Sequence, residues 1–239
     1  MDVRTLLRVT GELAAQVGTL TLGPPVAYLY NPLVYAARPH RRYLERYARP
    51  RPEALLIGMN PGPWGMAQTG VPFGAVSMVR DWLGIEETVG KPPREHPRRP
   101  VEGFACAREE VSGARLWGWA RDAFGTPERF FERVYVTNYC PLLFLDENAR
   151  NLTPDKLAAA ERRTLEEACD RALRRFVEEL APRLVVGVGA YAEGRARAAL
   201  SGLDVRIGRI LHPSPASPLA NRGWGKKATE QLRELGVEL

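Results

Sequence analysis

Two segments of the 239-residue chain gather the residue types that chemistry needs. The first, Gly58 to Gly74 (GMNPGPWGMAQTGVPFG), leaves an apolar stretch and enters a run of glycine and proline too dense for a helix or strand. Glycine lets backbone approach a ligand closely and proline fixes the turn. Asn60 is therefore expected to be presented into a crevice, although a cap on a strand-to-helix turn is the plainer reading of that residue alone. The second segment, His212 to Trp224 (HPSPASPLANRGW), opens with one of only three histidines and continues through three prolines that cannot serve a sheet ladder. A loop of that kind suits a working imidazole as well as a structural one. His40 and His96 fall in basic stretches and are expected at the surface.

Other chemistries are excluded by the same inspection. A P-loop needs GxxxxGK[ST], which is absent. Gly187-Val-Gly189 follows an apolar run as a dinucleotide loop would, but the third glycine is misplaced. Cys106, Cys140 and Cys169 form no CxxC pair, so they suit neither a zinc site nor an iron–sulfur cluster nor a disulfide framework. No metal and no cofactor is expected, and three scattered thiols fit a reducing compartment.

These segments must be positioned by regular elements. Apolar runs predict buried strands at Ala54–Met59, Val134–Thr137, Leu184–Val188 and Val205–Leu211. Helical patterns fall at the N-terminus, at Ser77–Leu83, Ala114–Phe124, Thr153–Leu180, Ala190–Leu200 and Trp224–Leu235. Thr153-Pro154-Asp155 reads as the start of the long one. Strands alternating with helices imply one α/β domain over residues 1–239, three-layered, with a mostly parallel central sheet flanked by helices. In such sheets the carboxyl ends of the strands carry the function. Arg38–Pro52 and Lys91–Pro100 read as basic surface loops, the first with interleaved tyrosines, suited to phosphates and exposed bases. A formal charge of +6 is compatible with a polyanionic partner. The N-terminal segment interleaves charge with apolar residues and is not read as a signal peptide, and no uncharged run is long enough to span a bilayer. The expected setting is cytoplasmic, nucleoid-associated or nuclear according to the host.

Taken together, the two segments resemble the motifs of the single-strand-selective monofunctional uracil-DNA glycosylases, of the uracil-DNA glycosylase superfamily. The resemblance continues through MVRDWLGI (Met78–Ile85), NYCPLLFLD (Asn138–Asp146), NLTPDKL (Asn151–Leu157) and RLVVGVGAYAEGRARAAL (Arg183–Leu200). It implies hydrolysis of the N-glycosidic bond of uracil, and of 5-hydroxymethyluracil, flipped out of DNA. By the same resemblance Asn60 holds the attacking water and His212 donates a hydrogen bond to uracil O2. Asn138 reads the base edge, Phe73 stacks on the flipped base, and Met59, Gly62 and Met66 line the pocket. Ser214, Pro215, Ala216, Asn221 and Arg222 fall in the part of the second motif that meets DNA. The implied partners are single- and double-stranded DNA containing uracil, with no membrane and a monomeric protein.

Two positions depart from the family pattern. Trp64 replaces a common phenylalanine. Ala216 stands where many members carry an arginine that wedges into the duplex, which bears on extraction of uracil from double strands. No lysine lies in either motif, so no Schiff-base lyase step is expected. A xanthine or hypoxanthine glycosylase of the same fold is the rival enzyme reading, and a catalytically idle lesion-binding module is the rival from another class. Asn60 and His212 together argue against the second.

Overall fold

The structure, a computed structural model, describes residues 1–238. In chain order the elements begin with α1 (Val3–Gly18), β1 (Tyr28–Tyr30), α2 (Pro32–Tyr35), α3 (Ala37–Tyr47), β2 (Ala54–Gly58) and α4 (Met66–Thr69). There follow α5 (Val111–Phe124), α6 (Pro127–Arg133), β3 (Val134–Asn138), β4 (Leu143–Leu145), β5 (Asn151–Leu152) and α7 (Ala159–Leu180). The chain closes with β6 (Leu184–Val188), α8 (Ala190–Ala199), β7 (Arg206–Ile210) and α9 (Trp224–Glu234).

The central sheet has four parallel strands in the order β3-β2-β6-β7. Ala54 pairs with Val134 on one side and with Leu184 on the other. Both β2 and β6 are buried along their whole length, which is why they read as unbroken apolar runs. At the edge, β7 instead exposes Arg206 and Arg209, charges that discourage pairing with another chain. From β2 the chain crosses to β3 on one side and then, through α7, to β6 on the other. The strand order therefore reverses about β2, and a crevice forms beyond the carboxyl ends at such a point. One group of helices packs α1 against α3 and α7, and another packs α5 against α6 and α9. One buried cluster runs from Leu6 to Val237.

The strand expectations hold within a residue or two of each end. Several others need correction. Arg38–Pro52 is not a surface loop: Ala37–Tyr47 is helical, with His40, Tyr43, Leu44 and Tyr47 buried along one stripe. The Tyr43 hydroxyl donates to the Val136 carbonyl at 2.8 Å and the Tyr47 hydroxyl to Leu83 at 2.5 Å. Neither tyrosine can stack on exposed bases. Arg38, Arg41 and Arg46 are ion-paired to Glu87, Glu45 and Glu128.

His40 and His96 are also buried, 8% and 6% exposed, not at the surface. His96 accepts from the Arg98 N–H at Nδ1 and meets the Glu147 carbonyl through Nε2 at 3.0 Å, tying its loop to the Asp146–Arg150 turn. The expected helix from Thr153 begins later. Pro154–Lys156 forms a single 3-10 turn, Leu157 and Ala158 are extended, and α7 starts at Ala159. The break lets Leu157 turn into the core, where it is 5% exposed. Within the Gly–Pro segment one helical turn, α4, does form, and Met78–Trp82 winds as a π-helix. The antiparallel sheet β1-β4-β5 was not expected; its strands are two or three residues long, too short for a period to register.

His40 donates from Nδ1 to the Gly70 carbonyl at 2.9 Å, while its Nε2 has no partner among the described residues. Burial pushes its pKa from 6.5 down to about 4. Because the unfolded chain takes this proton first, the contribution of neutral His40 is complete above about pH 6.5 and is lost as pH falls toward 4. The loss is on the order of 3 kcal/mol. Urea unfolding at pH 7 and pH 4.5 is expected to show the drop, and His40→Gln to remove most of it; an equal drop in that variant would discount His40.

Candidate active site

All four parallel strands deliver something to one place. Asn60 lies two residues beyond the end of β2, Asn138 is the last residue of β3, Gly189 follows β6, and His212 lies two residues beyond β7. A cleft of roughly 300 Å³ opens there, lined by Met59, Asn60, Gly62, Met66, Phe73, Asn138, His212, Ser214 and Pro215. Every catalytic and substrate-binding residue expected from sequence thus meets in one crevice.

Main-chain bonds carry the β2–β3 pairing past the sheet: Tyr139 N–H donates to the Gly58 carbonyl and Cys140 N–H to Met59, at 2.8 and 2.9 Å. Below them, Arg195 pairs with Glu166 at 3.0 Å and with Asp170, and its Nε reaches the Tyr139 hydroxyl at 3.0 Å. The end of β3 is therefore held from both sides. Gly58 is required at this crossing, since a Cβ there would lie 2.4 Å from Asn138 Oδ1 and 2.6 Å from the Phe73 ring. Asn138 and Phe73 converge on space that only a missing side chain provides.

Phe73 has φ +54, a left-handed conformation uncommon for a bulky residue. Its carbonyl accepts from Ala75 N–H at 2.8 Å, and α5 comes so close that a Cβ on Gly113 would lie 2.0 Å from that oxygen. The ring stands 6.2 Å from that of His212, tilted by 43°. Strain of this kind collects where geometry serves a ligand.

Hydrogen bonds orient the polar groups. Asn60 donates from Nδ2 to the Leu142 carbonyl at 3.2 Å, which leaves Oδ1 as its free acceptor. Asn138 donates from Nδ2 to Met66 Sδ at 3.3 Å. His212 Nδ1 accepts from Ser214 N–H at 3.1 Å, so its proton sits on Nε2 and can be donated into the cleft. Burial lowers the His212 pKa, favouring the neutral ring. Its Cβ packs against Gly189, φ +95, where a side chain would come within 3.3 Å. The glycine set aside as a dinucleotide signal is thus the seat of the imidazole.

The second motif is pinned from α5. Arg115 donates to the Pro213 carbonyl at 3.0 Å and to Asn221 Oδ1 at 2.8 Å, and Asn221 Nδ2 donates to Pro215 at 2.9 Å. The Asn221 amide is therefore oriented by α5 on one side and by its own loop on the other. Ala216 is exposed, Leu219 is 63% exposed, and Arg222 faces a separate groove with Lys226 and Lys227.

Sequence reasoning missed Arg115, and also Glu110, whose carboxyl lines the cleft. A Cβ on Gly62 would lie 2.4 Å from Glu110 Oε2. Burial pushes this carboxyl above the usual range, while the N–H groups of Ser112 and Trp64 pull the other way. Neither residue belongs to a motif segment, and only the approach of α5 brings them in. Among the described residues no cluster of three His, Cys, Asp or Glu side chains is placed to hold a metal ion.

Gly58→Ala is expected to keep the far-UV circular dichroism of the fold while displacing Asn138 and Phe73. Misplacement on the scale of one ångström costs on the order of a hundredfold in rate. The base release expected from the motif resemblance, timed in single turnover on a single-stranded oligonucleotide, measures it, and an unimpaired variant would show that the crossing does not set the pocket.

A family model for the Uracil DNA glycosylase superfamily matches residues 45–235. A rat protein named single-strand selective monofunctional uracil-DNA glycosylase is 55% identical over 228 residues, covering 95% of this chain and 82% of its own length. The bovine protein of that name is 55% identical over 233 residues, covering 97% and 84%. In fold, the chain is similar to the crystal structure of wild-type SMUG2 from Pedobacter heparinus, with a TM-score of 0.65 at 17% identity over 96% of this chain and 99% of that one. The parallel sheet, the converging strand ends and these matches agree: the chain belongs to the uracil-DNA glycosylase superfamily.

Proposed function

We propose that this protein is a monofunctional DNA glycosylase that hydrolyses the N-glycosidic bond of flipped-out uracil in base-excision repair. One observation carries the reading: a free Asn60 carbonyl oxygen and a neutral, Nε2-protonated His212 face one cleft that also holds Asn138 and Phe73.

The chemistry follows from those groups. As the C1′–N1 bond breaks, the bonding electrons leave with uracil and the sugar becomes oxocarbenium-like. The Nε2–H of His212 donates toward O2, where negative charge develops. A preorganised donor of this kind lowers the barrier by about 3–4 kcal/mol. An amide is too weak a base to deprotonate water early, so Asn60 acts by holding water on the opposite face until C1′ is electrophilic enough to accept it. The new C1′–O bond then forms, the oxygen gives its proton to solvent, the uracil anion takes one up from solvent, and the products are free uracil and an abasic site. Asn138 supplies an acceptor for N3–H and a donor for O4, and cytosine presents the reverse pattern. Its swing away from Met66 Sδ would accompany base entry. Phe73 stacks on the base.

Uracil is favoured over the xanthine or hypoxanthine alternative. Release from oligonucleotides carrying uracil, 5-hydroxymethyluracil, xanthine, hypoxanthine or thymine tests this, and uracil release below that of the purines would reverse it. His212→Ala is expected to lower the single-turnover rate by about two orders of magnitude, and Asn60→Ala to slow the same step while leaving binding of an abasic product nearly intact. Wild-type rates in either variant would remove that residue from the scheme.

Strand preference is the second part of the proposal. Flipping a base from a duplex costs a few kcal/mol that a single strand largely spares. Ala216, on the exposed part of the loop, has no reach into a vacated stack. The protein is proposed to act as a monomer and to prefer single-stranded or mispaired uracil over a U·A pair, with Ala216→Arg narrowing the gap. Equal single-turnover rates on the three substrates at fixed salt, or no response to the arginine, would defeat this.

A further inference from the structure

Just outside the cleft, Trp64 holds two cations. Pro63 and Gly65 line the cleft on either side of it, and the indole between them is half-buried. The guanidinium of Arg99 sits 5.0 Å from the ring centroid and that of Arg108 sits 5.2 Å from it. Among the described residues neither guanidinium is ion-paired with a carboxylate, unlike Arg38, Arg41 and Arg46 on α3.

Two like charges gathered beside one ring repel each other, and an anion bound beside them relieves that repulsion. The indole face offsets part of that repulsion, and the remainder is recovered when an anion binds. The arrangement is also built rather than incidental. Arg99 is fixed by its Nε bond to the Ala149 carbonyl at 3.1 Å. Gln68, 1% exposed, ties the loop to the first motif: its Nε2 donates to the Pro63 and Pro100 carbonyls at 2.9 and 3.0 Å, and its Oε1 accepts from Glu102 and Gly103. The main chain at Trp64 is held against Glu110. Arg99 is thus anchored beside the first motif, and Arg108 lies against the same indole.

We infer that Arg99 and Arg108, mounted on Trp64, form a subsite for a phosphodiester of the DNA strand that carries the flipped nucleotide. The ligand is a phosphate, because a guanidinium fork matches phosphate oxygens and because cations already lie over the indole on which a base would stack. A single strand is the natural occupant, since it can bend its backbone onto a lip beside the pocket. The inference rests on the glycosylase reading only for the identity of the flipped base.

Arg108 is exposed and makes no side-chain hydrogen bond among the described residues, so Arg108→Ala is the clean variant. Binding of an undamaged single-stranded oligonucleotide, followed by fluorescence anisotropy across a salt series, reads the subsite without any catalysis. Arg108→Ala is expected to weaken binding by roughly fivefold at low salt and to flatten the log–log salt dependence by about 0.7, one phosphate's worth. Arg108→Glu should exceed it, and Arg38→Ala should match wild type. In a second arm, uracil release is timed on oligonucleotides with one phosphate at a time replaced by neutral methylphosphonate. Wild type should slow at one position near the uracil, and Arg108→Ala, which keeps Arg99, should slow less at that position. Salt slopes and affinities equal to wild type in both Arg108 variants, or identical methylphosphonate profiles, would overturn the subsite. Failure of uracil release altogether would overturn the glycosylase reading and leave the binding arm to decide this one.

Discussion

The site depends on a crossing of main chains at the carboxyl end of β2. Gly58 carries no side chain, so Asn138 and Phe73 can meet over it, and the N–H groups of Tyr139 and Cys140 lock the two strand ends in register. Asn138 and Phe73, the groups proposed to read a base and stack on it, are both placed relative to that crossing. The strands below it are buried on both faces, which leaves no freedom for a register slip. The two loops above can therefore be rich in glycine and proline without being imprecise, because their starting points do not move.

Electrostatics in the cleft follow from burial. His212 is held neutral by desolvation and by an N–H that occupies its Nδ1, so the proton available to a ligand is on one known nitrogen. An imidazole in that state can donate a hydrogen bond without adding a full charge to the cleft. Glu110 lies along the same wall, its ionisation opposed by burial and favoured by two backbone N–H groups. The carboxyl thereby braces the first motif from behind, against glycines that leave it room.

Much of this was legible before any coordinates. The apolar runs marked the four strands, and Asn60 and His212 stood out because each followed a strand and led a loop that could be nothing regular. Other features left no local trace. His40, Tyr43, Leu44 and Tyr47 have helical spacing, yet the density of arginine around them concealed a buried stripe. The solvated arginine heads carry the charge while the other face packs. Gly189 resembled a nucleotide-binding glycine because strand-to-helix turns share a backbone whatever they serve; its use here, as a seat for His212, depends on a residue more than twenty positions away. Arg115 and Glu110 matter only through long-range approach, which no periodicity encodes.

Helix α5 touches both halves of the site. Gly113 admits the Phe73 carbonyl, the Trp117 indole donates to the Pro72 carbonyl at 3.2 Å, and Arg115 grips both ends of the histidine loop. Trp117 itself is buried among Tyr43, Phe130 and Phe131, in the middle of the core. The two loops are therefore not independent appendages of the sheet but cargo of a single rigid beam. A substitution that shifts α5 acts on both loops at once, and neither can be altered on its own through that helix.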